Sequence, residues 1–512
     1  MMKKRWMLLS LGMALVIGMT GCGKENGQQN ETQTDDQQSS NEEADSSDTA
    51  EIEYPNLDVT FEKKAVITLA DEVKIEGSGV ELLAENTISI SEGGEYELSG
   101  TLEDGMVYVE TDDAVELTLN GVTITNSDGP AILGEDSKAI YLNSVSGTEN
   151  VFTDGSTYAT DEDGKAIGKG TIFSNDDLYF IGDGTITVNG NYKHTIKSDD
   201  SIFVESGSLV LSAAKDGINA NDTVMVDGGE ITITKAVEGL EGTFVIINDG
   251  TFEIAVSDDG FNAGTLIEIN GGVSHIVSTV GDAVDSNGAL CVNGGLLVVH
   301  GGNMPENGMD CDQNTIQITG GTIVSSGGGN SMPDENNTQY SILLGSAQAG
   351  DTIGILDADG NTVFAYETEY AYENLMVSID GIVQDMTYTV YSGGTIEGDY
   401  CFYGYYENAV YTGGSKTIEF TADSMVISAG GTVETMGGPM HGGNGTMPGN
   451  GGQPGGERPD GEMPQDGRKP ELGDDPDEDG RIDRIPYDGD YQIPEEGMPG
   501  NSPMQEESEA SE

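Results

Sequence analysis

Along the middle of the chain, an apolar residue precedes a tight turn at a nearly constant interval. The series is Ile181, Val204, Val226, Ile247, Ile269, Val292 and Ile318, with steps of 21 to 26 residues. Asp or Asn and then Gly follow most members, as in Asp227-Gly228-Gly229, Asn248-Asp249-Gly250, Asn270-Gly271-Gly272 and Asn293-Gly294-Gly295. Leu119-Asn120-Gly121 and Leu142-Asn143 fit the same frame upstream, with an insertion near 151–172 before Ile181. Within a repeat the apolar positions alternate, as in Val224/Val226 and Ile231/Ile233. Period two signals a strand with one buried face. No 12-residue window carries a convincing helical stripe. Short strands at a fixed period of about 22 predict an all-β, parallel β-helix, in which each repeat is one coil and stacked coils share a core. The crossover rule makes it right-handed. About ten coils should cover residues 85–330. A β-propeller is the alternative, but its blades need about 40–50 residues.

The flanks differ. MMKKRWMLLSLGMALVIGMTGC opens with Lys3, Lys4 and Arg5 and continues with an apolar run too short to span a membrane. It reads as a secretory signal over 1–21. Met19-Thr20-Gly21-Cys22 resembles a bacterial lipobox, with Met19 in place of the usual Leu, so Cys22 is the expected lipidated residue. That places the protein on the extracellular face of the cell membrane. Residues 22–52 are acidic and nearly free of large apolar groups, which predicts a disordered tether. The β-helix is assigned to 53–337 and a C-terminal β extension or cap to 338–430, with a hairpin turning at Asp359-Gly360. Residues 431–512 read as a disordered tail rich in Gly, Pro, Met and acids. Its run Asp475-x-Asp477-x-Asp479-Gly480 looks like half of an EF-hand loop, but the twelfth position is Pro486 rather than Glu.

Stacking has a chemical consequence on one edge. One column reads Asp216, Glu238, Asp259, Asp282, Asn307, and three residues on a second reads Asn219, Glu241, Asn262, Asp285, Asp310. Neighbouring strands lie about 4.8 Å apart. Carboxylates at that spacing repel by roughly 3 kcal/mol per pair at an effective dielectric near 20. No Lys or Arg occurs from 236 to 415 to offset this. Calcium fits, because it takes oxygen ligands at about 2.3–2.6 Å and so spans about one coil step. Asp and Asn also serve turn geometry alone, but Glu238 and Glu241 are poor turn residues. Ca²⁺ between coils is the expectation.

The formal charge is −71, and removal of the signal leaves −74. Such a charge excludes direct electrostatic binding to nucleic acid or an anionic membrane surface. Besides the lipidated Cys22 there are three cysteines, Cys291, Cys311 and Cys401, an odd number that argues against a disulfide framework.

The run NDDLYFIGDGTITVNGNYKHTIKSDDSIFVESGSLVLSAAKDGINANDTVMVDGGEITITKA (175–236), with GDAVDSNG (281–288), resembles the secreted carbohydrate-binding domain of Gram-positive anaerobes. The resemblance covers roughly residues 60–345. It implies a calcium-dependent right-handed β-helix similar to family 9 pectate lyases, binding cellulose or pectin-like polysaccharide. It also implies Ca²⁺ at Asp216, Glu238, Glu241, Asp259, Asn262, Asp282 and Asp285. Family 9 lyases carry a D-D-x-x-D arrangement, which Asp258-Asp259-Gly260-Phe261-Asn262 resembles with Asn in the last place. Their lysine base is expected on a later coil, where this chain has no Lys or Arg. Among the nearest lysines, Lys193, Lys197, Lys215 and Lys235, the best placed for a lyase is Lys215 beside Asp216; the reading otherwise makes all four edge lysines.

The first reading is therefore a lipid-anchored, monomeric, non-catalytic protein that binds polysaccharide on a calcium-stabilised β-helix. The second is a calcium-dependent lyase, and the third a structural adhesin or envelope protein. The only tryptophan, Trp6, lies in the signal, so aromatic stacking on sugar would fall to tyrosines such as those of 366–372 and 399–411. These are expected to pack the cap instead.

Overall fold

The computed structural model describes residues 52–57, 59–160, 164–311, 314–398 and 400–431. Cys22, most of the tether, and the tail with Asp475–Asp483 lie outside the described residues.

Each coil contributes three short strands, and equivalent strands of successive coils pair in parallel. One coil shows the pattern: Ile218–Ala220, Thr223–Val226 and Glu230–Lys235. Three ladders result. In the first, Ile218, Leu240, Phe261, Val284 and Met309 stand in register. The second aligns Val226, Ile247, Ile269, Val292 and Ile318. The third aligns Ile231, Phe252, Ser274, Leu297 and Ile323. The first ladder runs from Thr87–Ile90 to Met309–Cys311 and makes about ten turns. The parallel β-helix read from the period is the fold of the chain. The helical content of the described residues is one 3-10 turn at Ala84–Asn86.

The alternation explains the core. Inward residues such as Val224, Val226, Ile231 and Ile233 are buried in one continuous apolar column. Between the second and third ladders the chain turns through glycines in the left-handed region. Gly207, Gly229, Gly272, Gly295 and Gly321 have φ of +80° to +88°, which L side chains adopt only with strain.

Two positions of the sequence frame shift upstream. Val204 pairs with Phe180, and Ile181 pairs with Asn143, so Phe180 is the inward member of its coil. Leu142 likewise pairs with Leu117 rather than standing in line with Leu119. The upstream insertion sits between the third-ladder strand Glu149–Asp154 and the first-ladder strand Gly170–Ser174.

The last coil is closed by antiparallel pairing. Thr322–Gly327 pairs with Asn374–Ser378, which also pairs with Ser341–Leu344. A six-stranded antiparallel sheet follows, including the hairpin of Thr352–Leu356 and Thr362–Glu367. Tyr366 and Tyr372 are buried with Val298 and Val324 of the coils and pack the cap, as expected, whereas Tyr370 of the same run is exposed and stacks on His300 at 4.7 Å. Cys291 and Cys311 form no disulfide.

Residues 52–57 and 59–61 lie as a strap across the outward side of the second ladder. Tyr141, Tyr179 and Phe203 stack there at ring separations of 4.3 and 4.7 Å, and Phe61 meets Tyr141 edge-on at 5.1 Å. The Tyr141 hydroxyl donates to the Asn56 carbonyl at 2.7 Å, and the Asn56 N–H donates to the Tyr179 hydroxyl at 3.2 Å.

Candidate metal centre on the coil edge

The two acidic columns border the first ladder. Asn219 pairs with Glu241, Glu241 with Asn262, Asn262 with Asp285, and Asp285 with Asp310. The other column enters the ladder through backbone bonds: the N–H of Gly217 donates to the Glu238 carbonyl, that of Gly239 to Asp259 and that of Gly260 to Asp282, at 2.9 to 3.0 Å. The glycine after each acid answers to packing. A Cβ on Gly239 would lie 2.2 Å from the Gly260 carbonyl oxygen, and one on Gly260 would lie 2.5 Å from that of Ala283. Contacts that short are not tolerated, so the acid-Gly pair reflects close approach of successive coils.

Two triads gather on this edge: Asp216, Glu238 and Glu241, and then Asp259, Asp282 and Asp285. Within each, three carboxylate oxygens lie within 4.8 Å of one another. Asp216 is fully buried, and Asp282 and Asp285 are 6 % and 8 % exposed. Burial first, and then the Asp285 and Asp258 charges, push Asp259 up to about 8. Burial and the neighbouring Asp259 and Asp285 charges likewise push Asp282 up to about 9, against the bond it accepts from Asn307. Glu238 is raised well above the usual carboxylate range by burial and by Asp216, Glu241 and Asp259. Asp216 goes the other way. Burial would raise it, but the charge and hydrogen bond of His194, the Lys215 charge and a bond to Glu241 hold it at about 2.

The donor set suits a hard cation. It is all oxygen, and several acceptors have no donor. Asp216 Oδ1, Asn262 Oδ1 and Asn307 Oδ1 are buried and without a hydrogen-bond partner. An orphaned buried acceptor costs about 1–3 kcal/mol, and a cation among them would satisfy it. Asp258 is half-buried beside Asp259 and lies outside both triads.

The second and third ladders are joined by a turn built from similar residues to another end. Asn248 donates to Asp227, Asn270 to Asn248 at 2.9 Å, Asn293 to Asn270 at 2.8 Å and Thr319 to Asn293 at 2.7 Å. There amide and acid simply bond from coil to coil, mostly in solvent. The first-ladder edge has too many carboxylates, buried too deeply, for that arrangement.

Two residues of this edge differ from the sequence reading, which left His194 unassigned and made Lys197 an edge lysine. His194 and Lys197 occupy the same two columns one coil upstream, since Ile196 pairs with Ile218 and Lys197 with Asn219. His194 Nδ1 lies 2.9 Å from Asp216 Oδ2. Lys197 is 1 % exposed and donates to Asn219 Oδ1 at 2.7 Å and to Asn221 Oδ1. Lys197 is therefore no edge lysine. Lys215 is half-buried on the turn beside Asp216. The signal was available: HTIKSDD (194–200) lies 22 residues ahead of DGINAND (216–222) and shares its apolar third position.

A β-solenoid with a carboxylate-lined edge is the class of protein these features define. Residues 84–331, nearly all of the solenoid, match the family described as "Carbohydrate-binding domain-containing protein". This is the family its motifs resemble. A curated protein of that description from Acetivibrio thermocellus is 29 % identical over 147 residues, which is 28 % of this chain and 51 % of the relative. The chain thus spans about half the length of that relative. A solved structure titled "Structure of the polysaccharide lyase-like protein from C. thermocellum, Gadolinium derivative" aligns with 50 % of this chain and 97 % of its own, at 24 % identity and a TM-score of 0.41.

Proposed function

We propose that the solenoid binds polysaccharide along its acidic edge through Ca²⁺, without cleaving it, while a lipid on Cys22 holds the protein at the outer face of the cell membrane. The observation that carries this reading is the ladder of buried carboxylates with orphaned oxygens, within a segment that matches a carbohydrate-binding family. A chain of charge −71 repels a polyuronate. A shared cation removes that repulsion. Calcium takes about 6–8 oxygen ligands, more than one triad supplies, so a uronate carboxylate can complete the shell. A neutral glucan should depend on calcium only through the stability of the coils.

Cleavage is the second reading. Proton abstraction beside a uronate carboxylate needs a base within reach of the polymer. Lys197 is the lysine in register with the ladder, and its ammonium is buried and committed to Asn219 and Asn221. That supports binding without chemistry. The test measures polygalacturonate and cellulose binding in calcium and in chelator, with ultraviolet absorbance for unsaturated ends. Polygalacturonate retention that rises with calcium and yields no absorbance is expected. Unsaturated product that Lys215→Ala or Lys197→Ala abolishes would overturn the binding-only reading.

A further inference from the structure

The turn between the second and third ladders carries a row of polar side chains, one per coil, at a different corner from the acidic columns that border the first ladder. Asn270 is an exposed member. Its Nδ2 donates to Asn248 Oδ1 at 2.9 Å, and its Oδ1 accepts from Asn293 at 2.8 Å. A side-chain amide has two N–H groups and an oxygen with two lone pairs. The ladder therefore leaves Asn270 one donor and one acceptor for a ligand. The row steps by about 4.8 Å, the spacing of neighbouring strands, and a pyranose ring in an extended glycan is about as long as that step. Thr319, also exposed, is the last member and donates to Asn293 Oδ1 at 2.7 Å.

Thr319 also lines a cleft of about 540 Å³ between the last coil and the cap. Ligand clefts commonly hold about 300–1,000 Å³. Gln339, the half-buried Tyr340, Ile379 and Asp380 line it together with glycines of the last turn. The cap side is tied to that turn. Gln339 Nε2 donates to the Gly321 carbonyl and to Ser378 Oγ, each at 2.9 Å, and Thr338 Oγ1 donates to the Thr319 carbonyl at 3.2 Å. The cleft is therefore preformed. Residues 236–415, which supply the row from Asn248 onward and the whole cleft, include no Lys or Arg. Asp380 stands in the cleft, and Glu268 accepts from Asn293 at 3.2 Å beside the row. An anionic sugar is repelled by such a surface. An uncharged one meets amides and hydroxyls for its own hydroxyl groups, and in Tyr340 a ring with an apolar body and a polar tip.

We propose that this row and cleft form a second glycan site, which binds an uncharged, extended polysaccharide with one sugar ring per coil and its chain running from Asn248 to Tyr340. A straight row fits a ribbon-like β-1,4-linked chain and not a coiled α-1,4-linked one. The site rests on the carbohydrate-binding family of the solenoid and is independent of the acidic edge and its ion. The experiment titrates cellohexaose and maltohexaose calorimetrically into the mature full chain in calcium, beside Asn270→Ala and Tyr340→Ala. Calcium-dependent retention of polygalacturonate is measured on the same samples, and folding is checked by circular dichroism. Cellohexaose is expected to bind more tightly than maltohexaose. Each variant should weaken cellohexaose by about fivefold or more, the loss of one or two hydrogen bonds or contacts, while polygalacturonate retention changes less than about twofold. If Tyr340→Ala does not fold, Thr319→Ala carries the same expectation. Cellohexaose binding that is absent in the parent, or unchanged in both folded variants, would overturn the site and leave the acidic-edge reading to its own polygalacturonate result. An equal loss of both glycans in the variants would overturn the separation of the two surfaces. Cellohexaose binding that depends on Asn270 and Tyr340 in a parent that does not retain polygalacturonate would support the site and end the acidic-edge reading.

Discussion

Replacing Asp282 by Asn should stabilise the protein in chelator and destabilise it in calcium. Asn has the shape of the protonated acid and keeps an oxygen for the Asn307 N–H. What it removes is an ionisable group whose folded value stands near 9 against 3.8 in an unconstrained chain. The raised value means the folded state binds the proton more tightly. Between about pH 4 and 9 the native chain therefore holds more protons than the unfolded one, and its stability falls as pH rises. The slope is about 1.4 kcal/mol per pH unit, so from pH 5 to 7 this one group removes up to about 3 kcal/mol. Spread over about 370 described residues, unfolding entropy of about 2.1 cal/mol/K per residue converts that to roughly 4 °C. In chelator at pH 7, Asp282→Asn should melt a few degrees above the parent, and the gap should close towards pH 5. With calcium at a hundredfold excess over Kd, the parent gains about 2.7 kcal/mol, and a variant short of one ligand loses most of it. Calorimetric melts at pH 5 and 7, with calcium or chelator, give four comparisons. A lower melting temperature for Asp282→Asn in chelator at pH 7 would refute the reasoning, as would the same shift with and without calcium.

Lys197→Met should cost about 2–3 kcal/mol, because it leaves two amide oxygens facing a buried apolar chain; chemical denaturation in chelator measures it, and a neutral result would contradict the bonds to Asn219 and Asn221. Gly239→Ala should cost more than about 3 kcal/mol, since its Cβ meets the Gly260 carbonyl. Gly147→Ala, with open space and only φ of +74° against it, should cost about 1–2 kcal/mol. Equal losses at the two glycines would argue against close approach as the reason for the acid-Gly pair. Phe61→Ala should release the strap while leaving the coils intact; hydrogen exchange should accelerate at the Asn56 amide and stay unchanged across 224–226, and joint acceleration would show that the strap is part of the global unfolding unit.

Much of the fold was legible because a solenoid repeats its own solution. Each coil must bury the same inward positions, so Val226, Ile247, Ile269, Val292 and Ile318 mark the second ladder at sight. The frame slipped where a coil carries apolar residues on both faces. Phe180 and Ile181 are adjacent and both apolar, and alternation cannot rank them when the outward side is itself covered. The strap explains that cover, because Tyr141, Tyr179, Phe203 and Met225 face outward and are still buried. A segment from one end of the chain lying on coils 80 to 170 residues away leaves no periodic trace.

The edge was legible in its acids and not in its compensation. Counting charge along 236–415 placed the carboxylates in a stretch without Lys or Arg, and the absence of a nearby cation pointed to a metal. Register adds a cation that counting along the chain does not bring to this edge. Lys197 is 44 residues from Glu241 in sequence, yet one amide, Asn219, separates them in space. The orientation of Asn219 follows from that donor one coil away, because its amide oxygen faces Lys197 and its nitrogen the acids. Composition reports the sum of charges along an edge. The stacking order decides which of them the protein itself meets, as Asn219 does in standing between Lys197 and the carboxylates of Asp216 and Glu241.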